Sequence, residues 1–134
     1  QQASNTTFRL FDWNRLDCDG KPRELHIDES LATIDHERGP VSAVAPQPTD
    51  RPHIERLVAC DKFVLDRWRL EGEQPIGGDD RFHIVAVLDG AATLTDAGGS
   101  HSISRGHTLL VPASCTTARV EPQGRAVLLD AYLP

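Results

Sequence analysis

Beyond Pro52 the chain is broken at short, even intervals by turn signals: Pro75-Ile76-Gly77-Gly78, Asp89-Gly90, Ala97-Gly98-Gly99, Arg105-Gly106 and Pro122-Gln123-Gly124. Each favours a reversal, because glycine reaches backbone conformations closed to other residues and proline presets a turn dihedral. What remains between them is HIERLVAC, FVLDRWRLEG, FHIVAVLDG, AATLTD, HSIS, HTLLVPA, TTARVEP and AVLLDAYL. These read as short strands, and many evenly spaced short strands predict an antiparallel sandwich or barrel rather than βαβ units. No fixed-period repeat accompanies them, which excludes propellers and solenoids. Alternate residues of such strands face inward. Val85, Val87, Leu94, Leu109, Val111 and Leu128 are therefore expected to fill the interior.

The first part of the chain reads differently. Thr6 to Trp13, TTFRLFDW, alternates and is rich in aromatic and β-branched residues, so a strand is predicted. Asp17-Cys18-Asp19-Gly20-Lys21-Pro22 reads as a turn. Asp28 is expected to cap a short helix from Glu29 to His36, with Leu31 and Ile34 on one face and Gly39-Pro40 as its end. Residues 40–52 contain Pro40, Pro46, Pro48 and Pro52 without periodicity, the pattern of a linker. The expected organisation is an N-terminal piece over 1–39, a linker over 40–52 and a barrel over 53–134.

Composition removes several function classes. A net charge of −6 and a pI near 5.4 leave no basic face for nucleic acid or an anionic membrane. The longest apolar run, Ile84 to Leu88, is too short to span a bilayer, and the start does not resemble a signal peptide. Three scattered cysteines, Cys18, Cys60 and Cys115, suit free thiols in a reducing cytosol, so a cytoplasmic protein is expected. The chain has no methionine and starts just before the Thr6 strand, from which we expect that an N-terminal part has been removed.

The residues with chemistry to offer are read modestly. His83, His101 and His107 could in principle make a metal site, but imidazoles at strand ends are commonly solvated, and surface positions are expected for them. Asp79-Asp80 reads as a loop rather than a carboxylate pair for acid–base work, and Cys60 and Cys115 as small buried hydrophobes.

The register of FHIVAVLDGAATLTDAGGSHSISRGHTLLVPA resembles a cupin: strand, Gly90 turn, strand, Gly-Gly hairpin, strand, Gly106, five residues, Pro112. The resemblance implies an all-β fold, a cupin-like (jelly-roll, double-stranded β-helix) antiparallel barrel, with the N-terminal strand and one short helix attached. A metal-binding cupin carries two histidines one residue apart on the strand of His83 and another after Pro112. Here no second histidine precedes Gly90, and Thr116-Thr117 stand at the later position, so no metal ligand is assigned to this chain.

Ser4 to Asp35, SNTTFRLFDWNRLDCDGKPRELHIDESLATID, resembles the class I mannose-6-phosphate isomerases. Thr6, Thr7, Arg9, Asp12, Trp13 and Arg15 match that family's strand motif and Gly20 through Ile27 its G-K-P-R-E-L-H-I segment; Leu129-Asp130-Ala131-Tyr132 resembles its closing strand. The resemblance implies interconversion of mannose 6-phosphate and fructose 6-phosphate by proton transfer through a cis-enediol. It also implies one divalent metal, usually zinc, held by Gln, two His and Glu that map to none of these residues. Residues 1–39 then correspond to the end of the catalytic cupin and 53–134 to a metal-free C-terminal one. Arg9 matches an arginine beside the reacting carbons, where a fixed cation stabilises enediolate charge without losing a proton. Asp12 is expected to orient a neighbour; Arg15, Lys21 and Arg23 could approach a substrate phosphate, but as turn cations they are expected to be solvated. The expected partners are a sugar phosphate and, through the N-terminal strand, a second copy of the chain. By itself the chain is expected to be inactive. The competing expectation is a stand-alone, non-catalytic cupin for ligand binding or dimerisation.

Overall fold

The computed structural model describes residues 5–134, so Ser4 of the N-terminal motif lies outside the described residues. The chain divides into two compact units, one ending at Ser42 and one over Ala43–Pro134.

The second unit is one antiparallel sheet. Its strands are β1 (Gln47–Pro48), β2 (Ile54–Ala59), β3 (Val64–Leu70), β4 (Gln74–Ile76), β5 (His83–Asp96), β6 (Gly99–Ser104), β7 (Thr108–Val111) and β8 (Ala118–Tyr132). They run in the order β1-β2-β3-β8-β5-β6, with β4 added to β8 and β7 to β5. The expected all-β, cupin-like antiparallel architecture is present, but the hydrogen-bonded path ends at β1 and β6 instead of closing into a barrel. The second half of the proline-rich stretch belongs to this sheet, since Gln47 and Pro48 pair with Arg56 and Glu55.

Two expected breaks are bends. The candidates on either side of Gly90 form one continuous β5, and those on either side of Gly124 one continuous β8. β5 and β8 pair from His83↔Tyr132 to Thr95↔Arg119, slipping register at Val87/Asp89 and Gly90/Ala92. Gly90 has φ +75°, and a methyl group there would run into the carbonyl of Arg125. Only glycine lets the two bent strands approach at that point. Conversely, Pro75 and Ile76, which read as the start of a turn, belong to β4 and pair with β8.

Period-two alternation then builds the interior. β3 buries Val64, Asp66, Trp68 and Leu70; β5 buries His83, Val85, Val87, Ala92 and Leu94; β8 buries Ala126, Leu128 and Asp130. Of the expected core positions, Val85, Val87, Leu94, Val111 and Leu128 are buried and Leu109 packs against them partly buried. Each fully buried aliphatic side chain is worth about 1.5–3 kcal/mol relative to exposure.

The first unit departs from expectation. Thr6–Trp13 is not a strand: residues 5–15 carry no ladder, and Trp13 and Asn14 both have φ 54°, which ends an extended run. A lone strand leaves its backbone groups unpaired, and no neighbouring strand takes them up among the described residues. Instead residues 9–26 form a loop closed at its neck, where the amide of His26 donates to the carbonyl of Arg9 at 2.8 Å. The expected turn is there: Asp17 Oδ1 accepts the amides of Asp19 and Lys21, each at 2.9 Å, and Leu16 bridges Pro22. The helix α1 covers Ile27–Thr33, earlier than expected. His26 stands at its N-cap without a side-chain bond, so Asp28 is not the cap; Asp28 and Glu29 lie in the first turn, where their charge favours the helix dipole. Leu31 and Ile34 stay about half-exposed.

Candidate functional site

Two clusters of charge stand out, one in each unit. In the first, the guanidinium of Arg9 donates to the carbonyl of Glu24 at 2.9 Å, with its Nε 3.7 Å from Asp12 Oδ1. Asp12, buried at 6% exposure, also accepts Arg15 Nη2 at 2.7 Å and Arg23 Nε at 2.6 Å. The Arg23 hydrogen bond above all, helped by Arg15 and opposed by burial, holds the Asp12 carboxyl far below the usual carboxylate range. Asp12 is therefore a permanent counter-ion that orients arginines, and Arg15 and Arg23 spend their guanidiniums on it. Lys21 has no ion pair among the described residues.

The second cluster lies on the inward face of the sheet, in a cavity of about 300 Å³. Strand register creates it. Arg56 on β2 stands opposite Asp66 on β3, Asp66 opposite Asp130 on β8, and His83 on β5 opposite Tyr132 on β8. Asp66 and Asp130 are 4% and 1% exposed. Two buried carboxylates facing each other across neighbouring strands repel and lose hydration, so each needs its own cation. Arg56 grips Asp66 with a fork, Nε to Oδ1 at 2.9 Å and Nη2 to Oδ2 at 3.2 Å. His83 Nδ1 meets the two oxygens of Asp130 at 2.9 and 3.0 Å. The hydroxyl of Tyr132 donates to Asp66 Oδ2 at 2.9 Å and accepts from Arg56 at 2.9 Å.

The electrostatics follow from this row. Burial works to lower the pKa of His83, but the bonds and charges of Asp130, joined by Asp79 3.1 Å from Nε2, outweigh it and the shift is upward. Burial likewise raises Asp130 against the pull of His83. Tyr132, buried and donating to Asp66, is pushed up to about 12. With a carboxylate on each ring nitrogen, His83 is biased toward its protonated form, and neither nitrogen is free to act as a base.

His83 was expected at the surface, and the structure corrects this: it is 6% exposed. Asp79, read as plain loop, is its second partner. The missed signal was the alternation itself, since Asp66 falls two residues before Trp68, His83 two before Val85 and Asp130 two after Leu128. His101 and His107 are exposed, as expected. Cys60 is exposed rather than buried, and Cys115 is partly buried against the core. The rim of the cavity adds Arg51, whose guanidinium lies 4.7 Å over the Trp68 ring and donates to the Pro75 carbonyl at 3.2 Å, and Arg81, 5.9 Å from the Tyr132 ring.

The donor set does not suit the divalent metal that the resemblance implies. Both nitrogens of His83 are engaged by carboxylates, Asp66 is taken by Arg56, and no group of three or more His, Cys, Asp or Glu is arranged to hold a metal ion among the described residues.

The model of the mannose-6-phosphate isomerase cupin domain matches residues 53–130. The chain belongs to that family. It is similar to mannose-6-phosphate isomerase ManA of Bacillus subtilis, 26% identical over 129 residues that make up 96% of this chain and 41% of that protein. A mannose-6-phosphate isomerase of Streptococcus mutans is 27% identical over 114 residues, 84% of this chain and 35% of the relative. The crystal structure of a mannose 6-phosphate isomerase from Bacillus subtilis has the same fold, with a TM-score of 0.76 at 23% identity over 96% of this chain and 40% of that one. The chain thus spans less than half the length of these isomerases.

Proposed function

We propose that this chain is the C-terminal portion of a mannose-6-phosphate isomerase and acts with the remainder of such an enzyme on the interconversion of mannose 6-phosphate and fructose 6-phosphate. The observation that carries this reading is the match of the isomerase cupin domain over 53–130, with likeness to ManA extending over 96% of the chain. In this reading Arg9 is the catalytic residue. Its guanidinium is steadied by the Glu24 carbonyl and Asp12, and a steadied cation stabilises negative charge on an enediolate oxygen with little reorganisation. The chemistry of zinc belongs to residues outside this chain, and none of the groups described here takes it over. A sugar phosphate as substrate and free thiols both suit the cytoplasm. Phe8, Phe11 and Trp13 are 43%, 60% and 78% exposed, and we read this apolar surface as paired with a second copy of the chain.

A chimera tests the assignment: residues 5–134 replace the matching segment of Bacillus subtilis ManA, and turnover of mannose 6-phosphate is measured. The chimera should be active, and Arg9→Ala should lower kcat by about 10²-fold or more with little change in KM. A folded but inactive chimera, or one indifferent to Arg9→Ala, would overturn the reading, as would turnover by the 134-residue chain alone. Light scattering of that chain should show dimers that Trp13→Ser dissociates.

A further inference from the structure

We infer that the cavity under β2, β3, β5 and β8 is a binding site for one small, neutral, polyhydroxylated molecule of about single-ring size. Its charged lining is balanced. Arg51, Arg56 and Arg81, with His83 and Asp130 sharing a proton between them, stand against Asp50, Asp66 and Asp79. A free anion entering would meet Asp50 and Asp79, and a cation would meet Arg51 and Arg81, so neither gains from the net field. The deep charges are already spent on one another: Arg56 with Asp66 and Tyr132, and His83 with Asp130 and Asp79.

What is left unspent is a mixture of donors and acceptors. Trp68 lines the cavity at 3% exposure, and its indole N–H has no hydrogen-bond partner among the described residues. A buried donor of this kind ordinarily has one, and an acceptor within the cavity would provide it. The guanidinium of Arg81 makes a ring contact with Tyr132 but no ion pair among the described residues, and the Asp50 carboxylate has no cation there. A hydroxyl can accept from a guanidinium or an indole and donate to a carboxylate, so a neutral molecule carrying several hydroxyls answers all three groups at once. Ile54, Pro75 and Ile76 complete the lining with apolar surface suited to the C–H face of a ring. About 300 Å³ lies at the small end of ligand sites, which limits the occupant to one ring.

The test is calorimetric titration of the 134-residue chain with D-mannose, D-glucose and myo-inositol, and separately with inorganic phosphate and zinc chloride. At least one neutral polyol should bind saturably in the millimolar range, and phosphate and zinc should not compete with it. Trp68→Phe, which keeps one aromatic ring but removes the pyrrole half of the indole with its N–H, should weaken binding about tenfold, as should Arg81→Ala at the rim. Trp13→Phe, which leaves Trp68 as the remaining tryptophan, should show a fluorescence change on saturation. The proposal fails if none of the polyols saturates, if phosphate or zinc occupies the cavity instead, or if binding is the same in Arg81→Ala and the parent chain. That last comparison stands even if Trp68→Phe does not fold.

Discussion

Asp12 in the first unit and Asp66 with Asp130 in the second meet the same physical demand, a carboxylate withdrawn from water that must be given cations, over very different lengths of chain. Asp12 finds Arg15 three residues away and Arg23 eleven away, within one loop. His83 reaches Asp130 across 47 residues, and Tyr132 reaches Asp66 across 66. The first arrangement is made by a turn and leaves Phe11 and Trp13 exposed. The second exists only when β2, β3, β8 and β5 are all in register. A local cluster can be lost without unfolding a core, whereas a cross-strand cluster rises and falls with the whole sheet.

Substitutions in the two units separate these two arrangements. The largest effect is expected from Gly90→Ala. The new methyl meets the Arg125 carbonyl at a residue with φ +75°, so β5 and β8 cannot hold their bend. Urea denaturation should show a loss of about 3 kcal/mol or more, or no cooperative transition. An unfolding curve like that of the parent would mean that the β5–β8 bend does not set the register of the site.

Next comes His83→Ala, which leaves Asp130 buried without its cation and should cost about 3 kcal/mol. The pH dependence separates charge from packing. The folded pKa of His83 lies above its unfolded value of about 6.5. Its contribution is therefore complete below that value and is lost as pH rises through the folded pKa. Stability of the parent chain should fall as pH is raised from about 6 into the alkaline range, and His83→Gln should flatten that slope. A slope unchanged by the substitution would remove the charge pair from the account.

Tyr132→Phe should be milder, about 1 kcal/mol, because Arg56 still holds Asp66 after the hydroxyl is gone. The smallest effect on the sheet is expected from Asp12→Asn. Freed of their counter-ion, Arg15 and Arg23 should become faster sites for trypsin while the unfolding midpoint of the second unit stays in place. A drop in that midpoint would show that the local cluster is not local.

Much of the second unit was legible beforehand. Turn chemistry marked where strands begin and end, and alternation picked out Val85, Val87, Leu94, Val111 and Leu128, because period-two burial is a property of each strand alone. The N-terminal motif identified the family and singled out Arg9, through residue identity rather than structure. The strand expected over Thr6–Trp13 fails for the complementary reason: strand propensity describes an edge that needs a neighbouring strand, and no strand pairs with it among the described residues. Turn signals at Gly90 and Gly124 predict breaks where the chain only bends, because a sequence shows a glycine but not the strand pressing against it. The acidic and basic members of the cavity were visible as letters, yet their pairing was not. Whether Asp66 meets Arg56, and Asp130 meets His83, depends on which strands lie side by side and in what register. That is settled by long-range packing of the whole sheet, where burial turns four otherwise ordinary charged side chains into one mutually dependent set.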